Sequence, residues 1–154
     1  MGKISNLLFV KLLLLSSPVL LHGQDCETFF KQGDCHMDLQ KGYKIYSQSR
    51  GYPITTRDTL EMNVVFYGQK DYIFTFCTGK EMYPLHFRIF DPETEFLIYD
   101  NQEDRFIESL GIGFDVTKNL KLLINVLGET NNSGGQLDYS GCLGILFQYK
   151  SYGK

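Results

Sequence analysis

Residues 60–77 read LEMNVVFYGQKDYIFTFC and decide the fold class. Residues 60–64 alternate apolar and polar side chains, and residues 72–77 are rich in aromatic and β-branched side chains, as β-strands are. Between these two runs, residues 68–71 (Gly-Gln-Lys-Asp) are typical of a turn. The pattern predicts two antiparallel strands joined as a hairpin, the strongest such signal in the chain.

The rest of the chain shows the same kind of strand and turn pattern. Residues 85–90 alternate cleanly, residues 91–94 (Asp-Pro-Glu-Thr) predict a type I turn, and residues 96–99 complete a second hairpin. An earlier, looser strand begins at Tyr43 and is predicted to end at residues 51–53. Further strands are predicted at residues 112–116, 120–126 and 142–149. Short strands with turns about every 8–12 residues predict an all-β, antiparallel β-sandwich of seven or eight strands, jelly-roll-like, with a small β-barrel as the alternative.

The first 23 residues have the layout of a secretory signal peptide. Lys3 gives a basic start, residues 7–15 form an apolar run interrupted by Lys11, and Gly23 supplies a small residue at the cleavage point. The sequence therefore predicts a signal peptide over residues 1–23, an N-terminal flap over 24–42 and a β-sandwich domain over 43–154. The product is expected to be exported, whether periplasmic, at the cell surface or secreted.

The charge of the exported part restricts its partners. Without Lys3 and Lys11 the chain keeps 13 basic and 18 acidic residues, a net charge of −5. Nucleic acids and anionic membrane surfaces both need a basic face, so the balance disfavours them. No later apolar run approaches the roughly 18 residues that a transmembrane helix requires. The sequence predicts no transmembrane segment and a protein or glycan partner.

All four cysteines lie beyond the predicted cleavage point, where an oxidising compartment permits disulfides. Four cysteines allow three pairings. Cys26 and Cys35 are close in sequence and flank the predicted flap, so we expect them to pair. Cys77 ends one predicted strand and Cys142 begins another, so we expect a second bridge that joins these two at one edge of the sandwich.

Several stretches of residues 58–150 resemble the jelly-roll modules known as pre-peptidase C-terminal domains, which are appended to secreted bacterial proteins. The chain is also similar in style to small exported β-sandwich proteins of the Bacteroidota. The stretches that carry the resemblance are residues 72–76, 87–91, 97–101 and 122–126. The resemblance implies a binding or stabilising role rather than catalysis.

Residues suited to catalysis are few. Nucleophilic catalysis needs a base near a serine or cysteine, and the exported part holds only His36 and His86 as histidines. His86 falls on the strand face opposite Leu85 and Phe87, so it is expected to point outward or to be half-buried. We therefore predict no catalytic residues. A small secreted hydrolase that uses carboxylates of the Asp91–Asp104 region is the enzymatic alternative.

Two further site types have candidate residues. Asp100, Asn101 and Asp104 place carboxylate and amide oxygens in one loop, so calcium is a possible ligand and no other cofactor is expected. A carbohydrate-binding module is a second alternative, because exposed tyrosines can stack on sugar rings. The candidates for this role are Tyr67, Tyr83, Tyr99 and Tyr139. The main hypothesis is an exported, non-catalytic β-sandwich module with a binding or assembly role in the cell envelope or outside the cell.

Overall fold

A computed structural model describes residues 25–31, 39–129 and 137–152. The predicted signal peptide, Cys35 and His36 lie outside these residues. The described chain contains nine β-strands and two single turns of 3-10 helix, Phe29–Lys31 and Lys80–Met82. Among the described residues no helix is long and apolar enough to cross a membrane. The strands are β1 Lys44–Ile45, β2 Arg50–Thr55, β3 Thr59–Phe66, β4 Lys70–Thr78, β5 Leu85–Phe90, β6 Leu97–Asp100, β7 Ser109–Phe114, β8 Lys118–Val126 and β9 Ser140–Ser151.

The strands form two antiparallel sheets that pack as a sandwich. The five-stranded sheet has the order β9-β4-β7, with β1 and β2 both on the far side of β9, and the four-stranded sheet has the order β3-β8-β5-β6. The pairs β2·β9, β3·β8, β4·β7 and β5·β6 are those of one long hairpin, rolled up so that β4 also meets β9 and β5 meets β8. This is the strand order of a jelly roll. The predicted sandwich is confirmed, and the sheets do not close into a barrel.

The two predicted hairpins have different outcomes. Strands β5 and β6 pair as expected across the turn at residues 91–96, with a bulge opposite Ile89 and Phe90. Strands β3 and β4 do not pair, so the hairpin predicted for residues 60–77 is wrong. The turn at Gly68 and Gln69 instead carries the chain from one sheet to the other. In a rolled-up hairpin each long strand finds its partner far along the chain, and β3 pairs with β8.

The strand predicted to end at residues 51–53 was also placed wrongly. β2 runs from Arg50 to Thr55, straight through Gly51, Tyr52 and Pro53, and pairs with β9. Proline lacks the N–H that a central strand needs, but an edge strand can dispense with it on its outer side. β2 is such an edge strand, which explains why Pro53 does not terminate it.

The core lies between the sheets and is built largely from aromatic rings. Phe66, Phe74 and Phe147 are completely buried, with the ring centroids of Phe66 and Phe74 stacked 4.6 Å apart. Tyr46 lies beside them, and its hydroxyl donates a hydrogen bond to the carbonyl of Val65. Burial, with smaller contributions from neighbouring tyrosines, raises the pKa of Tyr46 to about 12. The buried tyrosines are therefore satisfied core residues.

The outer face of the five-stranded sheet is covered by the N-terminal segment, residues 25–31. Phe30 is buried against Leu146 of β9 and Cys77 of β4, which project from the outer side of that sheet. The Gly51 N–H donates a hydrogen bond to the Glu27 carbonyl at 3.1 Å. Gly51 pairs in register with Gly144 of β9, so no side chain lies where the segment crosses. Residues 25–31 of the predicted flap thus add a third layer to the domain.

The disulfides differ from the predicted pairing. Cys26 is bonded to Cys142, with a Cα–Cα separation of 5.4 Å, so the predicted Cys26–Cys35 and Cys77–Cys142 bridges are wrong. Cys77 is disulfide-bonded as well. Cys77 lies opposite Gly144, which makes Cys142 its diagonal neighbour across the two strands. Diagonal neighbours are about 7–8 Å apart, beyond the reach of a disulfide. Cys142 instead bonds to the N-terminal segment that covers the outer face of the sheet.

We predict that peptide mapping under non-reducing conditions will join Cys26 to Cys142 and, by elimination in a four-cysteine chain, Cys35 to Cys77. The first bridge closes a separation of 116 residues, worth about 5 kcal/mol in the chain-entropy model and typically about 2–4 kcal/mol when measured. Cys26→Ala should lower the melting temperature by roughly 10 °C. A Cys26→Ala/Cys142→Ala pair that melts at the wild-type temperature would contradict the assignment.

We predict that Gly51→Ala destabilises the protein by about 2 kcal/mol through overpacking. A Cβ atom at Gly51 would lie 1.7 Å from the Cys26 carbonyl oxygen, so the N-terminal segment would have to move. Gly111→Ala is the matched control, because a Cβ at that strand glycine meets nothing within 4 Å. Urea unfolding of both variants tests this, and equal effects of the two substitutions would show that the segment does not press on Gly51.

Candidate functional site

The two sheets differ in what covers their outer faces. The five-stranded sheet has a covered face, on which Gln148 is buried and accepts a hydrogen bond from the Gln40 N–H at 2.7 Å. The outward side chains of β3 are exposed, and those of β5 and β8 are at least partly accessible. We call this outer surface of the four-stranded sheet the open face. It consists of Thr59, Glu61, Asn63, His86, Arg88, Phe90, Asp100, Lys121, Leu123 and Asn125.

A hydrogen-bonded row crosses three strands of the open face. Thr59, Asn125 and His86 lie side by side in register on β3, β8 and β5. The Asn125 amide donates to the Thr59 hydroxyl, and its Oδ1 accepts a hydrogen bond from Arg88 Nη2 at 3.0 Å. Arg88 Nε is buried and has no hydrogen-bond partner among the described residues. The row holds the Arg88 guanidinium along the sheet, with its Cζ atom 5.9 Å from the centre of the Phe90 ring.

His86 and Asp100 form the most acid–base-like pair of this face. His86 Nε2 lies 2.8 Å from Asp100 Oδ1, and the two side chains are 16% and 17% exposed. Desolvation raises the Asp100 pKa, but hydrogen bonds from the Gln102 N–H and His86, with the nearby Arg88 charge, outweigh it and lower the pKa. The ring edge of Phe106 packs on His86 at 5.8 Å between centroids. The expected half-buried, outward position of His86 is confirmed.

The geometry around His86 is that of a structural contact. Its hydrogen bond goes to Asp100, and in the described part of the chain none of its contacts is a hydroxyl or thiol that could act as a nucleophile. A nucleophile activated by histidine must lie within hydrogen-bond distance of the ring. The pair instead fixes the start of the loop at residues 101–108 to β5.

Asn101 anchors the same loop from inside and is completely buried. Its Oδ1 accepts a hydrogen bond from the Phe87 N–H at 2.9 Å. Its Nδ2 donates to the carbonyl groups of Leu85 and Ile107, at 2.9 and 3.0 Å. One side chain therefore satisfies three backbone groups at the point where the chain leaves β6 for the other sheet. The sequence showed an asparagine in a charged loop, and only burial shows this role.

The three candidate calcium ligands all have protein partners. Asn101 Oδ1 is used as described, Asp100 accepts hydrogen bonds from His86 and from Gln102, and Asp104 accepts one from the Tyr99 hydroxyl at 2.6 Å. Within the described residues no three histidine, cysteine or carboxylate side chains are grouped as metal ligands would be. Calcium binding stays a prediction that nothing in the geometry favours.

The four candidate sugar-stacking tyrosines pack on different parts of the molecule. Tyr67 is 52% exposed at the end of β3, with the Lys70 ammonium 5.1 Å from its ring centre. The hydroxyl of Tyr83 accepts the Thr78 N–H and contacts Glu108, and Tyr139 packs against the core. Tyr99 packs on Phe87 at 5.7 Å, and desolvation, followed by the hydrogen bond to Asp104, raises its pKa. Only Tyr67 presents a largely exposed ring.

An apolar group at the end of the β5–β6 hairpin was missed by the sequence analysis. Phe96, Leu97 and Ile98 are 70%, 41% and 43% exposed, and we call these three residues the hairpin tip. Residues 96–99 were predicted only as the second strand of a hairpin, with no statement about their exposure. The available signal was the run from Phe96 to Tyr99 between Glu95 and Asp100, but only the structure shows that Phe96, Leu97 and Ile98 are exposed.

A cavity of about 470 Å³ opens between the N-terminal segment and β2. Its lining includes Glu27, Lys31 and Arg50, with Ser47 and Ser49. Small-molecule sites are lined mainly by apolar side chains with a few polar groups, which this lining does not match. The open face and the hairpin tip are the better candidates for a functional surface.

Comparison of the chain with protein families, with curated proteins and with solved structures found no match. A jelly roll supports many unrelated functions, so the fold alone does not choose among them. The function has to be argued from the surfaces described above.

We predict that Asn101→Ala destabilises the protein by about 3 kcal/mol, because it strips partners from one backbone N–H and two carbonyl groups in the interior. Asn63→Ala is the matched control, since Asn63 is an exposed asparagine on β3 and should cost less than about 0.5 kcal/mol. Chemical unfolding measures both. Similar losses from the two substitutions would remove Asn101 from its anchoring role.

Proposed function

We propose that this chain is an exported, non-catalytic β-sandwich module that binds a partner through the side of the domain formed by the four-stranded sheet. The partner would lie in the cell envelope or outside the cell. The observation that carries the proposal is the asymmetry of the sandwich. One outer face is covered over β9 and its neighbours by a disulfide-linked segment, although its β7 side stays exposed, while the other presents ordered polar side chains along its whole width.

The covered face supports this proposal because it is built for stability. Its outer apolar residues, Phe30 and Leu146, are buried by the chain itself, and the Cys26–Cys142 bridge ties the covering segment to β9. A disulfide is stable in an oxidising compartment, in agreement with the signal-like sequence of residues 1–23. The covering segment leaves the open face and its edges accessible to a partner.

The contacts of the titratable groups favour binding over catalysis. His86 and Asp100 bond to each other, Asp104 bonds to Tyr99, and Asp91 accepts the N–H groups of Glu93 and Thr94. Each of these groups has a role in holding a loop or a turn. A general acid or base has to be within reach of a substrate atom, and these groups are directed at their own chain.

A glycan is the second candidate partner, and the polar side chains around Arg88 on the open face favour it. Planar polar side chains of Arg88, Asn125 and Glu61 lie on the open face, and Arg88 lies beside the Phe90 ring. Such groups can hydrogen-bond sugar hydroxyls, and a ring can pack on the apolar side of a sugar. This candidate rests on the open face rather than on the four tyrosines.

The test is site-specific photo-crosslinking in cells that export the full chain. A benzophenone amino acid at Glu61 or Asn63, both exposed on β3, should give adducts with a partner. The same group at Val116, which is 62% exposed in the turn between β7 and β8, is the matched control and should give few. Protease-sensitive adducts indicate a protein partner, and protease-resistant adducts indicate a glycan.

The non-catalytic part of the proposal has its own readout. His36→Ala/His86→Ala should give the same adducts as the wild type once its folding has been checked by circular dichroism. Retention of the uncleaved chain in the cytoplasm, or equal labelling from Glu61 and Val116, would overturn the proposal.

A further inference from the structure

The hairpin tip is unusual among the surfaces of this domain. Phe96, Leu97 and Ile98 are consecutive, and all three are exposed. Ile98 is the extra residue of the bulge, since Phe90 pairs with Leu97 and Ile89 pairs with Tyr99. Single exposed apolar residues need no explanation, but a contiguous apolar group marks an interaction site or an aggregation hazard.

The tip also lies on a free sheet edge. β6 is the last strand of the four-stranded sheet, and none of the described strands pairs with its outer side. A free edge presents backbone N–H and C=O groups to which another extended chain can add as a strand. Natural proteins protect such edges with lysine, proline, short strands or bulges. β6 has neither lysine nor proline, but it is four residues long and bulged at Ile98, which limits an added strand to a short one.

Carboxylates outnumber cations in the surroundings of the tip. Residues 91–104 contain six carboxylates, Asp91, Glu93, Glu95, Asp100, Glu103 and Asp104, and no lysine or arginine. Hydrogen bonds from the N–H groups of Thr94 and Glu93 lower the Asp91 pKa, so this carboxyl is ionised at neutral pH. Four cations lie nearby: Arg88 bonds to Asn125, Lys121 lies 3.5 Å from Glu95, the Lys118 charge helps to lower the Asp91 pKa, and Arg105 follows Asp104 in the chain. The edge is an apolar strip within an acidic rim.

The acidic rim argues against a second copy of this chain as the occupant. Antiparallel pairing of two β6 strands would place residues 91–95 of one copy beside residues 101–104 of the other. Both stretches are acidic, and like charges opposite each other across strands are destabilising. A partner with apolar residues at its centre and basic residues at its ends fits both features.

We propose that the β6 edge and hairpin tip bind an extended segment of a partner protein, with apolar residues against Phe96, Leu97 and Ile98 and lysine or arginine residues against the acidic rim. This inference rests on the proposed binding function and names the class of partner. β6 is four residues long, so the added strand is short and the complex is of the transient kind. Electrostatic attraction makes the association fast and sensitive to salt.

The test is a selection from a displayed library of random octapeptides against the whole mature protein, at low salt. Binders are counter-selected against the double variant Phe96→Ser/Ile98→Thr, which keeps a β-compatible residue in the strand. The expected winners have apolar centres and basic ends. The double variant should bind the best of them at least about tenfold more weakly, and Val116→Ser should bind it as the wild type does.

Charge and location are then measured with the same peptide. Glu93→Gln/Glu103→Gln should weaken binding and flatten its salt dependence, and NMR shift changes should centre on residues 93–100. Winners with acidic ends, an empty selection, shift changes elsewhere, or peptide binding that survives Phe96→Ser/Ile98→Thr would each overturn the inference. Dimers of the wild type that Phe96→Ser/Ile98→Thr abolishes would overturn it in favour of a second copy. If crosslinks from Glu61 persist when the selection fails, the proposed function stands and only this partner class is lost.

Discussion

The strand β9 is buried on both of its faces from Cys142 to Gln148, and the rest of the structure depends on covering each of these two faces. Its inward side chains, Leu143, Ile145 and Phe147, are covered by the opposite sheet. Its outward side includes the apolar Leu146 and lies in the interior of the sheet, so exposing it to solvent would be unfavourable. The N-terminal segment supplies this second cover. A three-layered arrangement follows from one strand that is apolar in both directions.

The covering segment is too short to hold its place by burial alone. Residues 25–31 contribute Phe29, Phe30 and a single 3-10 turn. The hydrophobic term for two such side chains is of the order of a few kcal/mol, which competes with the entropy of ordering seven residues. The Cys26–Cys142 bond and the close approach over Gly51 fix the segment where packing alone would leave it marginal. The shape of the domain at this face therefore depends on this bond.

The covering segment leaves the other side of the domain, the four-stranded sheet, exposed. The four-stranded sheet has a polar outer surface, on which Arg88, Asn125 and Thr59 are joined by hydrogen bonds. Its last strand carries the apolar hairpin tip within the acidic rim. Loop anchoring by Asn101 and the His86–Asp100 contact makes this side ordered. An ordered surface binds with less loss of conformational entropy than a mobile one, which suits a recognition module.

Local patterns in the sequence determined the fold class, most strand positions and the orientation of the strands in the four-stranded sheet. Alternation over residues 60–63 indicated that β3 has one solvent-exposed face. Alternation around His86 indicated which side chains of β5 point outward. These inferences succeed because side-chain direction alternates within a single strand and needs no knowledge of its partner.

Only the tertiary structure decided which strands pair, which cysteines bond and which edge is left free. Residues 60–77 look like a hairpin because a turn joins two strands, yet a turn can equally cross between sheets. Cys77 and Cys142 lie on adjacent strands and both face outward, toward the covering segment. They are offset by two residues in the strand pairing, which puts them out of bonding range. Pairing, register and exposure are set by contacts between residues far apart in the chain. No local pattern encodes them, and the exposed tip at Phe96 is visible only once β6 is known to be the last strand.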